Sequence, residues 1–180
     1  MRTVRAIAIV LVLVAAGCST APRSADAREG LMREADQTLA EFRREDPGLD
    51  PMLSKAQGCA VFPSVGKGAW VVGGAYGKGI VYEKGTLIGY CDLTQASVGL
   101  QFGGQSYSEL IVFQTAEAIE SFKSGNFAFA ANASATVIKA GAAASAKYEN
   151  GVAVFVRIGG GLMVEAAIGG QKFAYIPKTD

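Results

Sequence analysis

Three regimes of hydrophobic patterning follow one another along the chain. The first is a run: Ala6 to Val14 is apolar, preceded by Arg2 and Arg5 and followed by Ala15-Ala16-Gly17 and Cys18. The second has the helical period. Leu31, Ala35, Leu39 and Phe42 recur at three and four residues, the stripe of an amphipathic helix. Asp26 with Glu29 has the spacing of a capping box at its start, and Pro47-Gly48 should stop it. Asp50-Pro51 reads as the N-cap and first-turn proline of a second helix ending at Gly58.

The third regime, from Cys59 onward, has period two. Val98, Leu100 and Phe102 share one face and Ser97, Gln101 and Gln105 the other. Val152, Val154, Val156 and Ile158 alternate with Ala153, Phe155 and Arg157, and Leu162, Val164, Ala166 and Ile168 with Met163, Glu165 and Ala167. Such alternation predicts half-buried strands. Asn150-Gly151, Gly159-Gly160-Gly161 and Gly169-Gly170 are the turn signals between them. A hairpin centred near Gly161 would set Arg157 opposite Glu165, a pair worth about 0.2–1 kcal/mol. One helix interrupts the strands, capped by Thr115, with Ala116, Ile119 and Phe122 on one face and Gly125 at its end. The Ala-rich stretch 128–146 suits helix by propensity, but Thr136-Val137-Ile138 favours strand. The expected fold is α+β: an antiparallel β-meander forming a sandwich or barrel-like sheet, with N-terminal helices and one inserted helix.

The first apolar run is far short of the ~18–20 residues of a spanning helix. With its basic start and small-residue end it has the layout of a secretory signal. The ending Ala-Ala-Gly-Cys resembles that of a bacterial lipoprotein signal, which implies acylation of Cys18; an ordinary signal cleaved near Ala16, leaving Cys18 a thiol, is the alternative. Residues 1–17 are thus read as signal, 18–25 as a tether and 26–180 as a single domain. Ser19, rather than Asp, follows the cysteine, so the expected location is the outer membrane, facing the periplasm.

Charge then excludes one class of partner. The chain has 17 Lys and Arg against 16 Asp and Glu, and without Arg2 and Arg5 the basic count falls to 15, leaving a net charge near −1. That is no nucleic-acid footprint. No histidine occurs, which removes Ser-His-Asp catalysis and His-ligated metals; no cofactor or metal is expected. Cys59 and Cys91 could pair in an oxidising envelope, or remain as buried thiols in their strands.

Four segments, in order, carry a resemblance. They are M-L-S-K-A-Q-G-C-A-V-F-P-S-V-G-K-G-A-W-V-V (52–72), G-G-A-Y-G-K-G-I-V-Y (73–82), S-V-G-L-Q-F-G-G-Q-S (97–106) and G-L-M-V-E-A-A-I-G-G-Q-K-F (161–173). Together they resemble the SYLF domain over about residues 30–177. The resemblance implies lipid binding: eukaryotic members bind phosphoinositides and some bundle actin. In a bacterial envelope what carries over is association with anionic phospholipid; actin is not expected.

The segment Phe62 to Trp70 is the candidate surface, because Pro63 and two glycines take the backbone out of the core. Lys67 offers a point charge for phosphate and Trp70 suits a headgroup boundary. The candidate lipid-binding residues are Ser64, Lys67, Trp70, Tyr76 and Lys78. Ser64-x-x-Lys67 also has Ser-Lys nucleophile spacing, but its glycines disfavour the helix that this chemistry needs. Gly73 to Gly79 is followed by Ile80-Val81-Tyr82, so it reads as a bend in a curved sheet, not a P-loop. A non-catalytic, lipid-binding envelope lipoprotein is the first functional expectation. The alternative is a structural protein that recruits an envelope partner, or a second copy, through a sheet edge.

Overall fold

The structure, a computed structural model, describes residues 22, 24–66, 74–96, 106–125, 127–129, 133–158 and 165–178. The elements run α1 (Ala25–Glu45), α2 (Leu49–Lys55), β1 (Gly58–Gly66), β2 (Gly74–Glu83), β3 (Thr86–Ala96), β4 (Tyr107–Phe113), α3 (Ala116–Lys123), β5 (Ser134–Val137), α4 (Ala142–Ser145), β6 (Val152–Ile158), β7 (Glu165–Ala167) and β8 (Gln171–Pro177). The α+β class and the mainly antiparallel sheet are those that the patterning predicts.

The helices begin and end for local reasons. The N-cap of α1 is Ser24, whose hydroxyl accepts from the Ala27 N–H, two residues before the expected Asp26. Leu31, Ala35 and Phe42 are buried against the sheet, as the stripe requires. The second helix is capped by Gly48, not Asp50, and stops at Lys55. Thr115 caps α3 through its side chain, and Ala118, not Ala116, joins Ile119 and Phe122 on the buried face. The Ala-rich stretch divides: Ser134–Val137 is strand, Ala142–Ser145 a single helical turn.

The strands pair in the order β7-β5-β6-β4-β1-β2-β3-β8. The first three form a meander, but β4 returns beside β1 instead of extending from β3. The short β5 lies between β6 and β7, parallel to the former and antiparallel to the latter. The expected hairpin pairing Arg157 with Glu165 is therefore not formed. Arg157 instead bonds Glu41 (3.1 Å) and Glu45 of α1, tying the helix to the sheet. The expected strand around Val98–Phe102 and the glycine turn at 159–161 lie outside the described residues.

The two ends of this order are joined by residues 168–170 alone. Seven inter-strand spacings across a flat sheet would separate them by about 34 Å. Four residue steps reach at most about 14 Å. The sheet must therefore roll on itself. Its ends are bridged by the Ala128–Lys172 pair and by bonds between Phe129 and the backbone of Gly170 and Gln171, but no ladder joins β7 to β8 among the described residues. The result is a barrel-like roll, not a closed barrel.

Rolling creates two cores. Ala60, Phe62, Ile111, Phe113, Val152, Val154 and Val156 face the concave side, where Ile119 and Phe122 of α3 fill one end. Alternate residues, Cys59, Val61, Leu110, Val112 and Phe155, face outward beneath α1, α2 and α4. The central strands are thus buried on both faces, not half-buried. Glycine makes the concave side passable: a Cβ on Gly79 would stand 2.7 Å from the Phe62 ring and 2.6 Å from the Val61 carbonyl oxygen.

Candidate functional site

Three of the five candidate lipid-binding residues are brought together by the sheet. Tyr76 and Lys78 alternate with the inward-facing Ala75 and Gly77 on β2, so both point outward, on the helix-bearing side. On β1 the register shifts between Val61 and Ser64. This irregularity carries Ser64 to the outer face, directly opposite Lys78, with Gly66 opposite Tyr76. Ser64 is exposed; Tyr76 and Lys78 are half-buried. Lys67 and Trp70 lie outside the described residues, in the segment joining the adjacent ends of β1 and β2.

The patch is not purely basic. Asp92 stands opposite Lys78 on the other flank, and the Tyr76 hydroxyl donates to its Oδ1 at 2.8 Å. Ser64 sits on a strand, so the helix-borne Ser-Lys arrangement is not formed there. Gly74 to Gly79 also lie within a strand, in keeping with a curved sheet and not a phosphate loop.

The cysteines do not pair. Cys59 and Cys91 are free and buried, on opposite faces of the roll and on strands separated by β2. Burial pushes the Cys59 thiol up to about 12, against a smaller opposing pull from Arg43. Burial likewise raises Cys91 well above the ordinary range, helped by Asp92 and Glu109. Neither is a nucleophile at neutral pH. In a chain carrying Cys18→Ser, an aromatic disulfide reagent at pH 8 should find no reactive thiol in the native protein and two after unfolding in guanidinium. Rapid native reaction of either thiol would contradict this burial.

Two polar arrangements escaped the sequence reading. Asp46, only 3% exposed, accepts backbone N–H bonds from Gly48 (3.0 Å), Gly141 (3.2 Å) and Ala143 (2.6 Å), fastening the end of α1 to the start of α4. Burial alone would raise its carboxyl, but these bonds outweigh it and hold it below the usual value. Glu109, inside the roll, is 0% exposed and bonded to Gln171. The Tyr107–Phe113 alternation could have flagged Glu109, since it shares a face with Tyr107, Ile111 and Phe113.

A groove of about 570 Å³ also opens between α1, α2 and the lower ends of β1 and β2. Leu39 and Leu53 line it, but Asp36 and Asp50 balance Arg43 and Lys84, so it has no net charge to select an ion.

The described residues form a rolled sheet with a mixed polar and charged outer surface. Comparison with known proteins places this sheet among relatives. Residues 94–175 match the Ysc84 family model, described as "Las17-binding protein actin regulator". It is also 27% identical over 154 residues to Beta cell expansion factor A of Aeromonas veronii, a match covering 84% of this chain. The match spans 59% of that relative's length.

Proposed function

We propose that this chain is a membrane-anchored envelope lipoprotein whose SYLF-type domain binds phospholipid, with a preference for anionic headgroups and without catalysis. The observation that carries the reading is the register of β1 against β2. It sets Ser64 beside Lys78, with Tyr76 on the same outward face, at the strand ends that lead to Lys67 and Trp70. A hydroxyl, two ammonium groups and two amphipathic aromatics suit a phosphate at an apolar boundary. Acylation at Cys18 would supply the anchor, and the domain a separate contact with lipid.

Asp92 beside Lys78 and the near-neutral charge limit the attraction to a local one. Affinity should therefore be modest and fall with salt. Residues 22–180, which carry every described element but no lipidation site, should co-sediment with phosphatidylglycerol-containing vesicles better than with phosphatidylcholine vesicles. Substituting both Lys67 and Lys78 by Ala should weaken this by about thirtyfold, the loss of roughly 1 kcal/mol per cation near an anionic surface. Equal sedimentation with neutral and anionic vesicles would remove the headgroup preference. No sedimentation with either would leave the anchor as the sole membrane contact and direct attention to protein partners.

A further inference from the structure

The concave side of the roll is apolar at the end filled by α3 and polar toward the other. There Gln95, Tyr107, Glu109 and Gln171 form one hydrogen-bonded cluster contributed by β3, β4 and β8. Both amide hydrogens of Gln171 are used. Gln171 Nε2 gives one hydrogen to the Tyr107 hydroxyl oxygen (3.1 Å) and one to Glu109 Oε2 (2.9 Å). Gln95 Nε2 donates to the Gly169 carbonyl (3.3 Å). The Tyr107 hydroxyl has Gln95 Oε1 (3.3 Å) to donate to.

What remains is acceptor capacity. Glu109 Oε1 and Gln171 Oε1 are both buried without a hydrogen-bond partner, and both residues are 0% exposed. The side chains that own these atoms are themselves bonded, so the two open oxygens belong to one locus. Leaving two such groups unmet in a dry interior is costly, by about 1–3 kcal/mol for a neutral group and more for a charge.

Among the described residues, no positive group answers the carboxylate. The register neighbours of Glu109 are Phe62 on β1 and Val156 on β6. From β3 the titratable groups around it are Cys91 and, across the sheet, Asp92; from β4, Tyr107; from β8, Gln171 and Phe173 present no charge. None of these is a cation.

We propose that this locus is a binding site for a small monovalent cation, held by the Glu109 carboxylate and the Gln171 side-chain carbonyl. Oxygen-only ligands with one formal charge suit Na⁺, K⁺ or a protonated primary amine and do not suit a soft transition metal. Such an ion satisfies both open acceptors and the missing charge together. A proton competes for the same place: burial raises the Glu109 carboxyl to about 8, although the bond from Gln171 and the neighbouring Tyr107 hydroxyl pull the other way. Cation binding should therefore strengthen as pH rises toward 8.5 and displace a proton.

The test is thermal unfolding of the full chain at pH 8.5 and constant ionic strength in chloride salts of Na⁺, K⁺, methylammonium and tetramethylammonium. At ten times Kd a site ligand raises the folded-to-unfolded ratio about elevenfold. For a chain of this size that is a Tm increase of roughly 3–6 °C over tetramethylammonium, which is too bulky to enter. Na⁺ or K⁺ alone giving the increase identifies a metal ion; methylammonium alone identifies an amine. The increase should shrink at pH 6 and vanish in Glu109→Gln. Equal Tm values in all four salts would overturn the proposal, leaving the two oxygens to a bridging water. This comparison needs no variant, so a folding defect in Glu109→Gln would not blunt it.

Discussion

Raising the pH from 5 to 8.5 should cost the wild-type protein on the order of 3–4 kcal/mol of folding stability, and Glu109→Gln should abolish most of that loss. Burial holds the Glu109 carboxyl near 8 in the folded protein, against an ordinary value of 4.5. The folded state therefore keeps its proton where the unfolded state has released it. Its contribution is fully present below pH 4.5 and is lost as pH rises through 8. The window is unusually clean, because the chain has no histidine and both described thiols titrate higher. Glutamine preserves the shape and the bond from Gln171, and its own amide can donate to the open Gln171 oxygen. Urea unfolding at pH 5, 7 and 8.5, in tetramethylammonium chloride to exclude small cations, measures the effect. A flat wild-type profile, or an unchanged slope in the variant, would refute the assignment.

The second large effect is expected at Asp46. Its carboxylate accepts from Gly48, Gly141 and Ala143, and these are the bonds that join α1 to a segment nearly a hundred residues away. Asp46→Ala removes a charged acceptor and strands buried N–H groups. A loss of about 3–4 kcal/mol follows from typical costs of unmet buried donors. For a chain of this size that is a Tm drop of roughly 8–12 °C. Asp46→Asn keeps one oxygen but turns an N–H₂ toward a donor, so it should recover less than half of the loss. The pH dependence has the opposite sign to that of Glu109. The Asp46 carboxyl is held below its ordinary value, so its stabilisation is present above about pH 3.8 and disappears as pH falls through the lowered folded value. Differential scanning calorimetry at pH 7 decides the matter: a drop under 2 °C for Asp46→Ala would show that the three bonds contribute little.

Local features were legible because local physics makes them. The stripe Leu31–Ala35–Phe42 gave α1, and Thr115 gave the start of α3, since periodicity and capping involve residues within a turn or two of one another. The strand character of Gly74–Glu83 was equally plain, as Ile80-Val81-Tyr82 leaves no room for a helix after the glycines. Period two also implies that Tyr76 and Lys78, two residues apart on β2, share a face. It could not add Ser64 to them, because an irregularity within β1 changes which side that residue presents.

Partners and sidedness were decided elsewhere. Period two says that Val152, Val154 and Val156 share a face, but not that α1 buries the opposite one. It is silent on which strand lies alongside, so the Arg157–Glu165 hairpin looked sound until β5 entered between β6 and β7. Cys59 and Cys91 likewise read as a candidate pair until the roll set them on opposite faces. The sequence by itself determined α1, α2 and α3 and most of the strand-forming segments among the described residues. The tertiary structure alone decided the strand order, the two cores, and the burial of Asp46 and Glu109. The physical reason is separation along the chain: a helix stripe or a cap is fixed by neighbours, whereas strand pairing is chosen by the burial of the whole sheet, and a lone carboxylate acquires its character only from the groups that folding brings around it.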